Sequence, residues 1–182
     1  MDEKIRSTYV KHMNLKLAAQ ELGMKWQSLY VKLRKLGIPV VGDKLRYGSD
    51  KDRLAARAEI EFKRLVPFAE SQNEIKFQSK FDFLVSGEKV DIKASRLAQG
   101  CKKFKAKRWA FSVKKQEFCA DFIVCFAMQN DGFRIFLIPG VLVRNYQTIS
   151  IAENKKSKSK WLQYEISGIE LTNFFEELAK LL

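Results

Sequence analysis

The most informative segment of this sequence reads Phe81-Asp82-Phe83-Leu84-Val85-Ser86-Gly87-Glu88-Lys89-Val90-Asp91-Ile92-Lys93. Apolar residues on both sides of Ser86-Gly87 predict a β-hairpin with a two-residue turn. With that turn, the numbers of paired residues sum to 173, so Asp82 lies opposite Asp91. Directly opposed residues point to the same face, with Cβ atoms about 4.5–5.5 Å apart. Lys93 shares that face, because side chains alternate along a strand.

Two carboxylates and one ammonium group therefore meet on the polar side of an otherwise apolar hairpin. Opposed carboxylates repel each other, and a hard divalent cation with oxygen ligands relieves that repulsion. Mg²⁺ accepts one or two carboxylates together with waters and a substrate phosphate. Such an ion lowers the pKa of a bound water and stabilises charge on the phosphate. The Lys93 ammonium can orient the water or neutralise the charge that develops.

A helix predicted over residues 51–66 precedes the hairpin, with Leu54, Ala58, Phe62 and Leu65 on one face. A helix that contains a Glu, followed by the pattern D-x8-D-x-K, resembles the PD-(D/E)xK nucleases. That superfamily includes restriction enzymes, junction resolvases and some homing endonucleases. The resemblance covers about residues 50–128. It implies a restriction-endonuclease-like α/β fold, in which helices flank a mixed sheet, and hydrolysis of DNA phosphodiesters with Mg²⁺ or Mn²⁺.

The resemblance also implies roles for individual residues. Asp82 and Asp91 match the metal-binding acids, and Lys93 matches the catalytic lysine. The backbone carbonyl of Ile92 falls where the family often supplies another metal ligand. Phe81 stands where the motif name has Pro, which is a common variation.

The acid on the helix is less well defined than the hairpin acids. The family pattern of a small residue, a Glu and an apolar residue three positions later selects Glu59, both as a catalytic residue and as a metal ligand. Helical periodicity instead places Glu61 nearer the apolar stripe. The two criteria disagree, so Glu59 is the first choice and Glu61 the alternative.

Residues 14–38, NLKLAAQELGMKWQSLYVKLRKLGI, have the layout of a helix-turn-helix and resemble phage and bacterial modules of that kind. Gly23 falls at the tight turn, and Leu29 and Leu33 pack the second helix. Trp26 is either a core residue or a DNA contact. Side chains near the start of such a helix reach base edges, and basic ones hold phosphates. The predicted DNA contacts are Lys25, Gln27, Ser28, Tyr30, Lys32, Arg34 and Lys35.

The predicted domains are a helix-turn-helix domain over 1–38, a linker over 39–50 and a nuclease-like domain over 51–182. Further strands are predicted over 108–113, 121–128 and 133–140, with a short helix near 114–121, a Lys/Ser loop over 155–160 and a C-terminal helix from Leu171. Residues 93–115 contain no acid, and a segment of that kind can follow a DNA backbone. Trp109 within it is expected in the core. Its predicted DNA contacts are Arg96, Lys102, Lys103 and Lys105.

Composition supports a polyanionic partner. The 182 residues include 34 Lys and Arg against 21 Asp and Glu, giving a net charge of +13. One His and three scattered Cys argue against a structural zinc site, a disulfide scaffold and nucleases that depend on His. There is no apolar run of about 20 residues and no secretory signal, so we expect a cytoplasmic protein, from a bacterium or a phage-infected host, without a membrane partner.

The leading hypothesis is an endonuclease of homing or restriction type, with double-stranded DNA as substrate and a helix-turn-helix as the targeting module. A homodimer is expected, since cutting both strands of a duplex commonly needs two sites. One alternative is a DNA-binding regulator with a non-catalytic nuclease-like domain. Another is a resolvase of Holliday junctions or branched DNA. An RNA-binding module is disfavoured, because no strand carries the aromatic residues that stack unpaired bases.

Overall fold

The computed structural model describes residues 1–40, 45–46, 48–75, 79–98, 106–114 and 119–181. The chain divides into two compact units. The first consists of Met1–Ala56 with Ser71–Ser79, and the second of Arg57–Glu70 with Lys80–Leu182. The domain limits predicted from sequence stay predictions. Over the described part of the chain, no helix has the length and apolar character needed to cross a membrane.

The first unit contains three N-terminal helices, α1 (Asp2–His12), α2 (Leu15–Glu21) and α3 (Trp26–Lys35). The Asn14 side chain caps α2 by accepting hydrogen bonds from two of its first N–H groups at 3.0 and 3.2 Å. Gly23, with φ of 65°, allows the tight connection between α2 and α3. The three helices share a core built from Ile5, Tyr9, Leu15, Ala18, Ala19, Leu29, Leu33 and Ile38.

The remaining elements follow in chain order. The helices are α4 (Asp50–Leu65), the short α5 (Gln72–Ile75) and α6 (Gly168–Leu181). The strands are β1 (Glu70–Ser71), β2 (Phe83–Val85), β3 (Glu88–Arg96), β4 (Arg108–Ser112), β5 (Phe122–Gln129), β6 (Gly132–Pro139), β7 (Thr148–Ala152) and β8 (Glu165–Ile166). Two 3₁₀ helices span Gly140–Val143 and Lys160–Tyr164.

The main sheet has six strands in the order β1-β2-β3-β5-β6-β8. The pairs β2–β3, β5–β6 and β6–β8 are antiparallel, and β3–β5 is parallel, so the sheet is mixed. Helices α4 and α6 pack on one face, where Phe62 and Phe175 meet the strand residues Val90 and Val124. The predicted fold class, a mixed α/β sheet flanked by helices, is confirmed.

The opposite face of the sheet is covered by a second sheet of two antiparallel strands, β4 and β7. Trp109 is fully buried in this second core, as expected from sequence, and its indole N–H donates to the carbonyl of Met128 at 2.8 Å. The strand predicted over 108–113 therefore exists, but its partner is β7, which the sequence analysis did not identify.

The other predicted elements lie close to their expected places. The predicted helix over 51–66 is α4, and the strands predicted over 121–128 and 133–140 are β5 and β6. Helix α6 begins at Gly168, three residues before the predicted start, because Ser167 and Glu170 cap it reciprocally. Residues 115–118 of the helix predicted near 114–121 lie outside the described residues.

Candidate active site

The two-residue turn at Ser86-Gly87 folds as the sequence predicts. The φ angles of Ser86 and Gly87 are 50° and 87°, and a type I′ hairpin turn requires positive φ at both central residues. The ladder beyond the turn pairs residues 83–85 with residues 88–90 in the predicted register. This register decides which side chains of β3 point away from α4 and α6.

Asp82 lies one residue before β2 and contacts β3 through both its backbone and its side chain. Its N–H donates to the carbonyl of Val90 at 3.0 Å, and its Oδ2 accepts the N–H of Ile92 at 2.8 Å. The Asp82 carboxylate therefore accepts the N–H of Ile92, which a backbone carbonyl of the opposite strand accepts in a regular antiparallel ladder. The regular pairing of β2 with β3 ends at Phe83. The Asp82 carboxyl group still lies close to that of Asp91, because it is one of the groups that raise the pKa of Asp91.

Asp91 is a buried carboxyl group, with only 3% of the residue exposed. Burial raises its pKa to about 7, against the lowering effect of Lys93 and with a further rise from Asp82. The Nζ of Lys93 lies 2.5 Å from Oδ2 of Asp91, and the lysine side chain is 24% exposed. The pair therefore meets solvent mainly through the lysine.

Strand β5 lies beside β3 in the sheet and supplies apolar neighbours to this pair. In the parallel ladder, Asp91 pairs with Ile123 and Lys93 with Cys125, and both β5 residues are fully buried. Burial raises the pKa of the Cys125 thiol, and the charges of Lys93 and Asp91 also act on it. Charges on Asp91 and Lys93 next to such buried apolar side chains interact more strongly than charges in water.

The donor atoms at this site fit a hard divalent cation. Asp82 and Asp91 supply carboxylate oxygens, and the Ile92 carbonyl belongs to the same stretch of β3. Mg²⁺ and Mn²⁺ prefer oxygen ligands, and Mg²⁺ is commonly held by one or two carboxylates while it keeps several waters. Such a cation would also offset the cost of two neighbouring carboxylates, of which one is buried.

The two candidate helix acids, Glu59 and Glu61, have different surroundings. Glu61 forms a two-pronged hydrogen-bonded pair with Arg64, at 2.6 and 2.9 Å, and this arginine holds the pKa of Glu61 below its usual value. Glu59 is half-buried next to Ala58, which belongs to the core. Among the residues that the structure describes, no group of three or more His, Cys, Asp or Glu is arranged to hold a metal ion. The role of Glu59 therefore stays a prediction.

In the first unit, most of the predicted DNA contacts on or beside α3 face solvent. Lys25, Gln27, Ser28, Arg34 and Lys35 are exposed, while Tyr30 and Lys32 are half-buried. Tyr30 and Trp26 both pack against the helical core, which favours the core role of Trp26 over a DNA contact. The exposed part of α3 thus presents amide, hydroxyl and cationic groups and no acid.

The basic segment that follows β3 is described only in part. Arg96, the last residue of β3, is exposed. Lys102, Lys103 and Lys105 lie outside the described residues. Within this segment, Ala98 and Arg108 exchange two backbone hydrogen bonds, each of 2.9 Å.

Sequence reasoning missed two features of the second unit. The first is β7, although the alternation in Thr148-Ile149-Ser150-Ile151-Ala152 is a signal for a half-buried strand. The second is Arg134, which is 7% exposed and donates to both carboxylate oxygens of Glu165, at 2.8 and 2.7 Å. No local pattern marks this pair, because its members lie on β6 and β8.

Comparison with known proteins gives limited information. No family model and no curated protein sequence matches this chain. Among the solved structures that match is that of a bacterial homing endonuclease, I-Ssp6803I, with 13% sequence identity and a TM-score of 0.49. The match covers 73% of this chain and 95% of that one. A likeness at this identity and TM-score says nothing about the activity of this chain.

Proposed function

We propose that this protein is a DNA endonuclease that hydrolyses phosphodiester bonds with the help of Mg²⁺ or Mn²⁺. The observation that carries the proposal is the group formed by Asp82, Asp91 and Lys93. The Asp82 carboxyl group is close enough to raise the pKa of Asp91, which is almost fully buried. A buried acid with a pKa near 7, paired with a partly exposed lysine, is typical of a site built for chemistry.

Each of the three residues has a distinct task in this proposal. Asp82 and Asp91 would hold the metal ion, and the N–H of Ile92 fixes the orientation of the Asp82 carboxylate. When bound, the ion supplies Lewis-acid stabilisation of the phosphate and a more acidic water. The Lys93 ammonium group, which is more exposed than Asp91, would stabilise the negative charge that develops as the phosphorus is attacked.

The first unit would hold the duplex while the second unit cuts it. Exposed polar and basic groups along α3 suit a helix that enters the major groove of B-DNA. A homodimer would supply two sites for the two strands. Whether the enzyme acts as a homing, restriction or junction-resolving nuclease depends on the substrate that it prefers.

A plasmid nicking assay tests the proposal. Supercoiled plasmid is incubated with the full chain and Mg²⁺ or Mn²⁺, with and without excess chelator, using wild type and Asp91→Ala. Asp131→Asn serves as the matched control, because Asp131 is an exposed acid in the β5–β6 turn. We expect nicking by wild type and by Asp131→Asn that chelator abolishes, and none by Asp91→Ala.

The same assay separates the alternatives. A wild-type protein that binds DNA but never nicks it would favour a DNA-binding regulator. Cleavage by Asp91→Ala at the wild-type rate would show that the site lies elsewhere. A substrate panel of linear duplex, four-way junction and flapped DNA then assigns the subclass from the relative cleavage rates.

A further inference from the structure

The β4–β7 ribbon, which consists of Arg108–Ser112 and Thr148–Ala152, has one face in the core and one face toward solvent. Trp109, Phe111, Ile149 and Ile151 are 0–1% exposed and seal the inner face. By alternation the outer face carries Arg108, Ala110, Ser112, Thr148, Ser150 and Ala152. Ala110, Ser112 and Thr148 are exposed, Arg108 and Ser150 are half-buried, and Ala152 is buried. Cross-strand neighbours on this face are Ala110 with Ser150 and Ser112 with Thr148.

The outer face carries small side chains and several hydrogen-bonding groups. Its side chains are alanine, serine and threonine apart from Arg108, whose Nη1 donates to the Ser150 hydroxyl at 3.2 Å. Small side chains let another molecule approach the strand backbone closely, and hydroxyl groups both donate and accept hydrogen bonds. The face lacks the large apolar side chains that anchor most protein–protein interfaces.

The segments that contain and flank the two ribbon strands are basic. The described segments 106–114 and 144–160 contain eight Lys and Arg residues and a single acid, Glu153. These 26 residues therefore contribute +7 of the net +13 of the chain. Several of these cations have partners: Arg108 donates to Ser150, Lys155 lies 3.4 Å from Glu165, and Lys160 stacks on Tyr146 and Trp161. The excess remains large enough to attract a polyanion.

We infer that the outer face of the β4–β7 ribbon is a second DNA contact, which lies in or along the major groove of a duplex. Five residues of antiparallel strand span about 17 Å, and paired strands lie about 4.8 Å apart. A major groove about 12 Å wide admits a two-stranded ribbon of these dimensions. The inference rests on the proposed function, and it places a DNA contact in the same unit as Asp91.

The test compares opposite charges at one position of the face. Ser112→Glu and Ser112→Lys are measured for affinity to a linear duplex by fluorescence anisotropy over a range of salt concentrations. Asn173→Glu and Asn173→Lys are the controls, because Asn173 is exposed on α6, which packs on the opposite face of the main sheet. These control variants change the net charge by the same amounts.

We expect Ser112→Glu to weaken binding by about tenfold or more, while the Asn173 variants stay within about twofold of wild type. Ser112→Lys should tighten binding and steepen the slope of log K against log salt by about 0.9, the value for one added phosphate contact. Thermal unfolding checks that each variant is folded. The lysine variant keeps the test decisive if the glutamate variant does not fold.

Equal shifts at Ser112 and Asn173 would overturn the inference, because a general charge effect would then explain the data. It would also be overturned if Ser112→Glu altered self-association in sedimentation while DNA affinity stayed unchanged. A wild-type protein that binds the duplex through this face but never cleaves DNA contradicts only the proposed nuclease activity. Cleavage-competent Ser112 variants with unchanged affinity contradict only the ribbon contact.

Discussion

Replacing Asp91 by Asn should change the stability of the metal-free protein in a pH-dependent way. Burial raises the pKa of Asp91 from 3.8 to about 7 in the folded chain. A raised folded-state pKa means that the folded state favours the protonated acid. Its contribution to stability is therefore fully present below about pH 4 and is lost as the pH rises through 7. Asn cannot ionise, so Asp91→Asn escapes that loss.

The size of the effect follows from the two pKa values. Relative to a side chain that cannot ionise, Asp91 lowers the free energy of unfolding by about 1.5 kcal/mol at pH 5 and about 4 kcal/mol at pH 8, because the unfolded chain ionises it more readily than the fold does. The difference is about 2–3 kcal/mol. Asp91→Asn also leaves Lys93 without its carboxylate partner, which lies 2.5 Å away. This loss is not added to the difference, because at pH 5 the folded acid is mostly protonated and at pH 8 the favourable effect of Lys93 is already contained in the pKa of about 7.

Urea unfolding in chelator at both pH values measures the effect, with the fluorescence of Trp109 and Trp161 reporting on the second unit. We expect the free energy of unfolding of Asp91→Asn to gain about 2–3 kcal/mol relative to wild type between pH 5 and pH 8. Asp131→Asn, at an exposed turn position, should show no such gain. A stability difference between Asp91→Asn and wild type that does not vary with pH would refute the assignment of a buried, ionisable Asp91.

Three further predictions concern the metal ion and the packing of the second unit. Millimolar Mg²⁺ should raise the thermal unfolding midpoint of wild type but not of Asp82→Asn, since binding to the folded state alone stabilises it; equal shifts would place the ion elsewhere. Glu165→Gln should cost about 3 kcal/mol in urea unfolding, because the buried Arg134 loses its charged partner; a change below about 0.5 kcal/mol would show that the pair does not stabilise the fold. Gly140→Ala should give largely unfolded protein by circular dichroism, because the new Cβ would lie 1.9 Å from the carbonyl oxygen of Ala120; a native melting curve would contradict that packing.

The hairpin and its polar pair could be predicted because they depend on local rules. Alternation and the Ser86-Gly87 turn fix the register, and the two-residue spacing puts Asp91 and Lys93 on one face. The burial of Asp91 could not be predicted, because it depends on β5, about 30 residues later in the chain, and on the second sheet that covers that face. Local pattern indicates which residues share a face but not what covers it.

The partner of β4 illustrates the same limit. Arg108–Ser112 has the alternation of a half-buried strand, but β7 begins 36 residues after β4 ends. Nothing local distinguishes pairing with β7 from joining the main sheet, where the sequence order would place it. The contact of Asp82 with the N–H of Ile92 was also beyond prediction, because a side chain there replaces a backbone carbonyl.

The central claim is that Asp91 and Lys93 belong to the centre that cuts DNA. The most direct test is the single-turnover rate of cleavage of a preferred DNA substrate at saturating Mg²⁺, measured for wild type, Asp91→Asn and Lys93→Met. We predict a rate that falls by about 100-fold or more in each variant, while DNA affinity stays within about threefold of wild type. Cleavage by either variant at the wild-type rate, or wild-type cleavage that persists in chelator, would contradict the account.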